Sequence, residues 1–217
     1  MNHRIILIGC GEHARMVIDN IEQQEKYEIF GVITDDRNMI GKKLKGYNII
    51  CHNDEVELLL KENKEIEAYF LGVGNMRTRE KLFKRFDSIL NAVNIIHPSS
   101  IISKHANIGY GNIFEAYTKI ANDVIIGNHC ILNSFTSINH DQKIGNNVLI
   151  GCNVSLAGTT IGNNTIIADG ASISFKKKVG CQCIIGDGSV VTKDIPDNII
   201  AYGNPAREIR QNDWCSN

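Results

Sequence analysis

The stretch from Ile120 to Val190 decides the fold of this chain. It reads IANDVI-IGNHCI-LNSFTS-INHDQK-IGNNVL-IGCNVS, then the five-residue unit LAGTT, then IGNNTI-IADGAS-ISFKKK-VGCQCI-IGDGSV. An aliphatic residue opens each unit, and a period of six fits neither an α-helix nor an alternating strand. The pattern is typical of a parallel β-helix, in which three short faces form a coil of about 18 residues. Neighbouring coils lie about 4.8 Å apart, so residues 18 positions apart are predicted to stack.

Composition and charge exclude several classes of protein. The 217 residues carry a net charge of −1, which leaves no basic excess for binding nucleic acid. No apolar stretch is long enough to span a membrane, and the N-terminus does not have the layout of a signal peptide. The seven cysteines lack zinc-site spacing. We therefore expect reduced thiols, no bound metal and a cytoplasmic location.

The first 95 residues follow a different pattern, of strands that alternate with helices. Predicted strands are Arg4–Ile8, IFGVIT (29–34) and AYFLGVG (68–74), and predicted helices cover 13–24, 54–67 and 76–86. This order predicts a small Rossmann-like α/β domain of about four parallel strands. We therefore expect two domains, residues 1–95 and 96–217, the second being the parallel β-helix.

The first domain has a candidate ligand crevice at the carboxyl edge of its predicted sheet. The turn GCGEHA contains Gly9 and Gly11 and precedes a helix whose N-terminus favours a phosphate or a hydroxyl-rich ligand. Asp35 and Asp36 end the next strand, and Gly74 ends another at the same edge. A dinucleotide site is an alternative, but about 95 residues are too few for that fold plus a substrate domain. For the two aspartates, in the segment TDDRN (34–38), the alternative is a solvent-exposed turn without a ligand.

One unit of the repeat, INHDQK, differs from the others in carrying His140 and Asp141 side by side. A neutral imidazole can take a proton from an attacking amine or hydroxyl, and a neighbouring carboxylate can fix its tautomer. The alternative is an exposed histidine without a role. We expect the other histidines near the repeat, His97, His105 and His129, to be structural.

The stacking rule adds further candidates above His140. Gly158 follows His140 by 18 residues, at the shortened unit LAGTT, where a missing residue is expected to free a backbone amide for an oxyanion. Asp169 and Asp187 are also 18 apart. We expect these two aspartates to line the same groove one coil further on.

Four segments carry a resemblance to a known family: GCGEHA, IIHPSSIIS (95–103), NSFTSINHD (133–141) and YGNPAREI (202–209). Together they resemble the hexapeptide-repeat N-acetyltransferases of nucleotide-activated sugars, of the bacillosamine-pathway and perosamine kind, within the NeuD-type sugar O-acyltransferase family. The resemblance covers nearly the whole chain. It implies a left-handed β-helix and a homotrimer with active sites between subunits.

The resemblance implies that acetyl-CoA donates an acetyl group to the C4 amine of a UDP-, dTDP- or GDP-linked 4-amino-4,6-dideoxy sugar, for surface glycans or glycoproteins. It makes His140 the general base, tuned by Asp141, with the Gly158 amide facing the thioester carbonyl. Sugar-nucleotide contacts are then Gly9, Gly11, Glu12, His13, Asp35, Asp36, Gly74 and Asn133. Coenzyme contacts are Asp169, Asp187 and the loop residues Pro205 and Ala206. The basic turn at Lys177 is a further candidate, because its charge suits a coenzyme phosphate, and the alternative is a solvated corner.

Two positions depart from the family pattern. Leu149 stands where close relatives have a second histidine, and Asp141 stands where some relatives have glutamate. The alternatives are O-acetylation of a sialic acid or related sugar, and a non-catalytic accessory trimer of the same fold. We expect the tail after Arg210, with Trp214 and Cys215, to be poorly ordered.

Overall fold

The computed structural model describes residues 3–214, and the chain divides into two compact units between Ile96 and His97. Each unit is described by itself. No helix among the described residues has both the length and the apolar character needed to cross a membrane.

The N-terminal unit is an α/β domain around one six-stranded sheet, in the order β3-β4-β2-β1-β5-β6. The strands of this sheet are β1 His3–Ile8, β2 Tyr27–Thr34, β3 Lys43–Leu44, β4 Tyr47–His52, β5 Ile66–Leu71 and β6 Asn91–Ala92. The short strand β7, Ile95–Ile96, ends the unit and is not part of this sheet. The helices of the unit are α1 Glu12–Gln24, α2 Val56–Glu62 and α3 Met76–Phe86, with 3-10 helices at Arg37–Met39 and Asn53–Glu55.

Apolar runs place β1 at the centre of this sheet. Residues 5–8 of β1 are fully buried, since the strand is parallel to β2 on one side and to β5 on the other. Helices α2 and α3 add Val56 and Phe86 to the core cluster on this sheet. The Rossmann-like prediction is confirmed, and the helix predicted over 76–86 is α3. The prediction of about four strands was too low for this six-stranded sheet, because two of the strands, β3 and β6, have only two residues each. Strand β3 is antiparallel to β4, and β6 is parallel to β5.

The second unit is a parallel β-helix of two-residue strands in three faces, as the six-residue period predicts. Face A contains β10 Ile113–Phe114, β13 Ile131–Leu132, β16 Leu149–Ile150, β19 Ile166–Ile167, β22 Ile184–Ile185 and β24 Ile199–Gly203. Face B contains β8 Ile101–Ile102, β11 Lys119–Ile120, β14 Ser137–Ile138, β17 Ser155–Leu156, β20 Ser172–Ile173 and β23 Val190–Val191. Face C contains β9 Asn107–Ile108, β12 Ile125–Ile126, β15 Lys143–Ile144, β18 Thr160–Ile161 and β21 Lys178–Val179.

The corners between faces explain why the repeat is rich in Asn, Asp and Gly. One residue of each unit adopts the left-handed conformation, with φ between 52° and 66°, where these residues are least strained. The ladder is Tyr117, Asp123, His129, Phe135, Asp141, Asn147, Asn153, Gly158, Asn164, Gly170, Lys176, Gln182 and Gly188. The five-residue unit at Gly158 therefore keeps this left-handed corner, and the strands on either side of it stay in register with the neighbouring coils.

The outward side chains differ between the three faces. The second residue of each coil strand fills the prism, and the first points outward. On face A the outward residues in register are all aliphatic: Ile113, Ile131, Leu149, Ile166, Ile184 and Ile200. On face B they are Ile101, Lys119, Ser137, Ser155, Ser172 and Val190, and on face C Asn107, Ile125, Lys143, Thr160 and Lys178. Face A is thus the apolar face of the β-helix.

The C-terminal segment forms a hairpin. Strand β25, Ala206–Gln211, runs antiparallel to β24, and Trp214 beyond it is buried. The prediction of a poorly ordered tail after Arg210 is therefore wrong as far as Trp214. The final three residues lie outside the described range.

Candidate active site

The candidate base is held by its neighbour at the corner between faces B and C. His140 Nδ1 lies 2.8 Å from Asp141 Oδ2, so the aspartate reaches the imidazole. Asp141 is the left-handed residue of this corner, with φ 58°, and the side chains are 58% and 71% exposed. When Nδ1–H donates a hydrogen bond to the carboxylate, Nε2 keeps its lone pair and is available to solvent or substrate.

Gly158 lies one coil above His140, but its amide is not free. The Gly158 N–H donates to the His140 carbonyl oxygen at 3.1 Å. The expectation that the shortened unit releases this amide for an oxyanion is therefore wrong, because the left-handed turn at φ 57° restores the ladder bond. Gly158 has another reason to be glycine: a Cβ there would collide with the ring of Phe175.

The lysine-rich turn lies at the same corner, one coil above Gly158. The Lys176 ammonium is 5.3 Å from the centroid of the Phe175 ring, and this ring is 54% exposed. Lys177 is half-buried, and its carbonyl oxygen accepts from Thr160 N–H at 3.2 Å. A column of His140, Gly158, Phe175 and Lys177 therefore runs along the B/C corner. Sequence reasoning missed Phe175, because an exposed phenylalanine has no distinct signal within the repeat.

The two aspartates predicted for this groove lie at another corner, between faces A and B. Asp169 follows β19 and Asp187 follows β22, whereas His140 follows β14. The Asp169 carboxylate accepts from Cys152 N–H at 2.8 Å, and its carbonyl oxygen accepts from Gly188 N–H at 2.8 Å. Within one chain, the prediction that they share a groove with His140 is wrong, since 169 follows Gly158 by 11 residues and not 18.

Asn133 lies at this A/B corner as well, with a buried acid beside it. Strand β14 separates Asn133 from His140. Glu115, which sequence reasoning missed, accepts from the N–H and the hydroxyl of Ser134 at 3.0 and 2.9 Å. Burial raises the pKa of Glu115, and the Asp169 carboxylate adds to the rise. The A/B corner therefore carries a column of carboxyl and amide groups that is distinct from the His140 column.

The N-terminal unit contains a cavity of about 320 Å³ at the carboxyl edge of its sheet. It brings together six predicted residues, Gly9, Gly11, Glu12, His13, Asp35 and Gly74. The predicted Asp36 does not line it: its carboxylate accepts from the Asn38 backbone and side chain at 2.9 Å and caps the 3-10 helix Arg37–Met39. Sequence reasoning missed Cys10, Asn53, Thr78 and Leu82 in the lining.

His13 is the most perturbed group of this cavity. Burial, together with a smaller contribution from the nearby Arg79 guanidinium, lowers the pKa of His13 from 6.5 to about 4. The ring is therefore neutral at physiological pH. Its Nε2 is buried and has no hydrogen-bond partner among residues 3–214. A ligand group in this cavity can satisfy that nitrogen.

Arg79 is a fully buried arginine that shapes the same cavity. Its Nη1 donates to the carbonyl oxygens of Leu71 and Val73 at 3.0 and 2.9 Å. These bonds fix the chain where it leaves β5 towards Gly74. Gly9 packs against this segment, at φ 108°, so tightly that a Cβ would collide with Val73.

The remaining predicted residues lie at the C-terminal hairpin. Pro205 is exposed in the turn between β24 and β25, and Ala206 is buried as the first residue of β25. Leu149 belongs to the apolar face A, where it is half-buried. Among the described residues, no group of three or more His, Cys, Asp or Glu side chains is arranged to hold a metal ion.

Comparisons with known proteins match both units. The model of the PglD N-terminal domain matches residues 4–86, and the model of bacterial transferase hexapeptide repeats matches residues 143–174. These matches, with the two structural neighbours below, identify the chain as a left-handed β-helix acyltransferase that carries a PglD-type N-terminal domain.

Similar proteins extend over nearly the whole chain. The GDP-perosamine N-acetyltransferase of Escherichia coli O157:H7 is 29% identical over 94% of this chain and 96% of its own length. PerB from Caulobacter crescentus, solved with CoA and GDP-perosamine, has a TM-score of 0.87 and is 26% identical, over 95% of this chain and 97% of its own. The acetyltransferase domain of PglB from Neisseria gonorrhoeae, solved with acetyl coenzyme A, has a TM-score of 0.85 and is 26% identical, over 96% and 100%.

Proposed function

We propose that this protein is an N-acetyltransferase that transfers an acetyl group from acetyl-CoA to the C4 amine of a nucleotide-linked 4-amino-4,6-dideoxy sugar. The observation that carries the proposal is the 2.8 Å contact between His140 Nδ1 and Asp141 Oδ2, which leaves Nε2 as a base on a β-helix corner. The perosamine N-acetyltransferase relatives favour an amine over a hydroxyl as acceptor. Surface glycan or glycoprotein sugar synthesis in the cytoplasm is the setting that we propose.

In the proposed mechanism both substrates bind before any bond breaks. The sugar amine attacks the thioester carbonyl carbon, forming a C–N bond while His140 Nε2 takes one amine proton. The tetrahedral intermediate then expels the thiolate of CoA, which receives this proton from the imidazolium and leaves as the thiol. Asp141 stabilises the transient imidazolium charge. A positioned base of this kind contributes about 10²–10⁴ in rate.

Acetyl-CoA is proposed to lie along the B/C corner, with its thioester next to His140. Lys177 and Lys176 supply positive charge for a coenzyme phosphate, and the exposed Phe175 ring supplies an apolar surface. An oxyanion role for Gly158 requires its N–H to leave the His140 carbonyl oxygen. We therefore assign to Gly158 the role of admitting Phe175 to this corner.

A homotrimer with active sites between subunits is proposed from the apolar face. Four of its outward residues, Leu149, Ile166, Ile184 and Ile200, are half-buried in the single chain, and contiguous apolar surface of this kind marks an interface. Closing three identical prisms into a ring places face A against a different surface of the neighbour. The A/B corner borders face A, so Asn133, Asp169 and Asp187 would face the His140 column of the next subunit. Pro205 and Ala206 are proposed to cover the coenzyme from the C-terminal hairpin.

The nucleotide of the acceptor is proposed to occupy the N-terminal cavity. The N-terminus of α1, at Gly11 and Glu12, favours the diphosphate. Neutral His13 has an unused nitrogen for a ligand, and the Asp35 carboxylate can accept hydrogen bonds from the ribose hydroxyls.

The test is release of the CoA thiol from acetyl-CoA with a panel of nucleotide-linked 4-amino sugars, beside free sialic acid, for the wild type and His140→Ala. Turnover on one amino sugar that the variant loses supports the proposal. Turnover on sialic acid alone would make the protein an O-acetyltransferase. If no compound of the panel causes release of the CoA thiol, or if the variant turns over as fast as the wild type, the catalytic proposal is overturned.

A further inference from the structure

Asn53 is a buried polar residue of the N-terminal cavity whose side-chain oxygen has no partner in the described part of the chain. It follows β4 directly, lines the cavity and is 9% exposed. Its Oδ1 is buried and has no hydrogen-bond partner among residues 3–214. Buried polar groups are nearly always paired, so an unpaired one that borders a cavity points to a missing ligand.

The backbone around Asn53 is fixed by many bonds, so the free side chain is not a sign of a loose loop. Arg85 Nη2 donates to the Asn53 carbonyl oxygen at 3.1 Å, and Arg85 Nη1 donates to Asp54 at 3.0 Å. His52 N–H donates to the Glu55 carboxylate at 2.9 Å, and His52 Nδ1 accepts from Asp54 N–H at 3.2 Å. The turn therefore presents the carboxamide at a defined place.

The order of strands determines which part of a nucleotide reaches Asn53. From the glycine turn after β1, the neighbouring strand β2 leads to Asp35, and the next strand, β4, leads to Asn53. Thr34 is in register with His52, and His52 Nε2 lies 3.2 Å from the Asp35 carbonyl oxygen, so Asp35 and Asn53 are neighbours. Two strand spacings cover roughly 10 Å. A diphosphate at the α1 N-terminus and a ribose at Asp35 therefore place the base at Asn53.

The cavity lining near Asn53 suits a flat heterocycle. Leu82 and Thr78 of α3 line the same cavity and give an apolar surface with a hydroxyl beside it. A carboxamide offers an acceptor and a donor side by side, and a half-turn about χ2 exchanges them. Such a group pairs with the edge of a base that has one donor next to one acceptor, as the –CO–NH– edges of uracil, thymine and guanine do.

Building on the proposed function, we propose that Asn53 is the specificity-determining residue that reads the nucleobase of the nucleotide-linked sugar. It accepts from the ring N–H and donates to the adjacent carbonyl oxygen. A bidentate pair of this kind corresponds to about 5- to 150-fold in affinity. Asn53→Asp replaces the donor by a second acceptor. This pattern matches the N1–H and N2–H₂ donors of guanine and opposes the carbonyl oxygens that flank N3–H in uracil and thymine.

The experiment measures the dissociation constants of UDP, dTDP and GDP by calorimetry for the wild type, Asn53→Ala, Asn53→Asp and Asn38→Asp. Asn53→Ala removes no side-chain hydrogen bond found among residues 3–214, and it is expected to weaken the binding of all three nucleotides at least fivefold. Asn53→Asp is expected to shift the ratio of affinities towards GDP by at least tenfold. Asn38→Asp adds the same charge in the exposed turn after β2, outside the cavity lining, and is expected to leave the ratio within threefold.

The outcomes separate this inference from the proposed function. An unchanged ratio in Asn53→Asp, with tight nucleotide binding throughout, would overturn the role of Asn53 and leave the acetyltransferase proposal in place. An equal shift in Asn38→Asp would mean that charge alone moves the ratio, and it would also overturn that role. Absence of nucleotide binding in the wild type, together with silence of the thiol-release panel, would overturn both.

Discussion

The two candidate sites of this chain are built in opposite ways. The N-terminal cavity is formed within one unit, from a buried Arg79, a largely buried His13 and a buried Asn53. The His140 site lies on an open corner, with the histidine and its aspartate both more than half exposed. A cavity lined on several sides by one chain can hold a ligand without a further wall, whereas an exposed base is in bulk water until something covers it. The difference suggests that the first site is complete in one chain and that the second needs a neighbour.

The largest expected effect comes from removing the base of the open site. His140→Ala should reduce kcat about 10²–10⁴-fold, and it should leave nucleotide binding in the N-terminal cavity unchanged. Thiol release under saturating substrates measures the first quantity, and calorimetry with the nucleotide measures the second. His105→Ala changes an exposed histidine of the same unit and serves as the control. Equal losses in both variants would remove His140 from the mechanism.

A charge on the apolar face should break the assembly that completes the open site. Ile166→Lys places an ammonium in the middle of face A and should convert the proposed trimer to monomers, with a loss of activity of at least tenfold. Thr160→Lys is the matched control, because Thr160 is in register with Lys143 and Lys178 on face C, which already carries this charge. Sedimentation equilibrium measures the oligomeric state of both variants. A trimer that persists in Ile166→Lys would contradict the role of face A.

The burial of His13 in the N-terminal cavity should show in the pH dependence of stability. The unfolded chain protonates His13 near pH 6.5, whereas the folded chain does so only near pH 4, so the unfolded state binds more protons between these values. Stability must therefore fall as the pH falls through this window. His13 alone should lower the free energy of unfolding by about 2 kcal/mol between pH 7.5 and 5.

Urea unfolding of the wild type and His13→Gln at the two pH values tests this contribution of His13 to stability. The variant should lose about 2 kcal/mol less than the wild type on acidification. The same slope in both proteins would show that His13 titrates normally in the folded state.

The smallest effect concerns the packing above His140. Gly158→Ala meets two costs, a left-handed φ of 57° and a collision with Phe175. Gly170→Ala meets only the first cost. Its φ is 66°, and apart from its two chain neighbours no described residue comes within 4 Å of a Cβ at that position. The left-handed conformation costs an alanine about 1–2 kcal/mol. Thermal unfolding should therefore place Gly158→Ala below Gly170→Ala, and equal melting temperatures would argue against close packing by Phe175.

Much of the fold follows from the sequence, because the repeat and the buried strands depend on side-chain type and spacing. The aliphatic residues that open the units fill the prism, and α3 covers the predicted segment. Strand β6 was missed because two residues give no periodicity. The apolar face was also missed, because its outward residues emerge only when units 18 apart are compared in register.

The site was harder to predict where a residue's role depends on the direction in which its backbone N–H or its side chain points. Spacing placed Gly158 above His140, but only the structure gives its amide a partner. Asp35 and Asp36 are adjacent in sequence, and one lines the cavity while the other caps a turn. Arg79 and Asn53 stand outside any motif, so their burial beside the cavity has no signal in a single sequence.

The most direct test of a His140 site shared between chains is to mix two inactive variants. Asn133→Ala removes a residue of the A/B corner, and His140→Ala removes the base of the B/C corner. If the two corners meet across a subunit boundary, co-refolded mixtures contain some sites with both residues intact, and acetyl transfer should recover well above either variant alone. Activity of the mixture equal to the average of the two separate variants would contradict a site built from two chains.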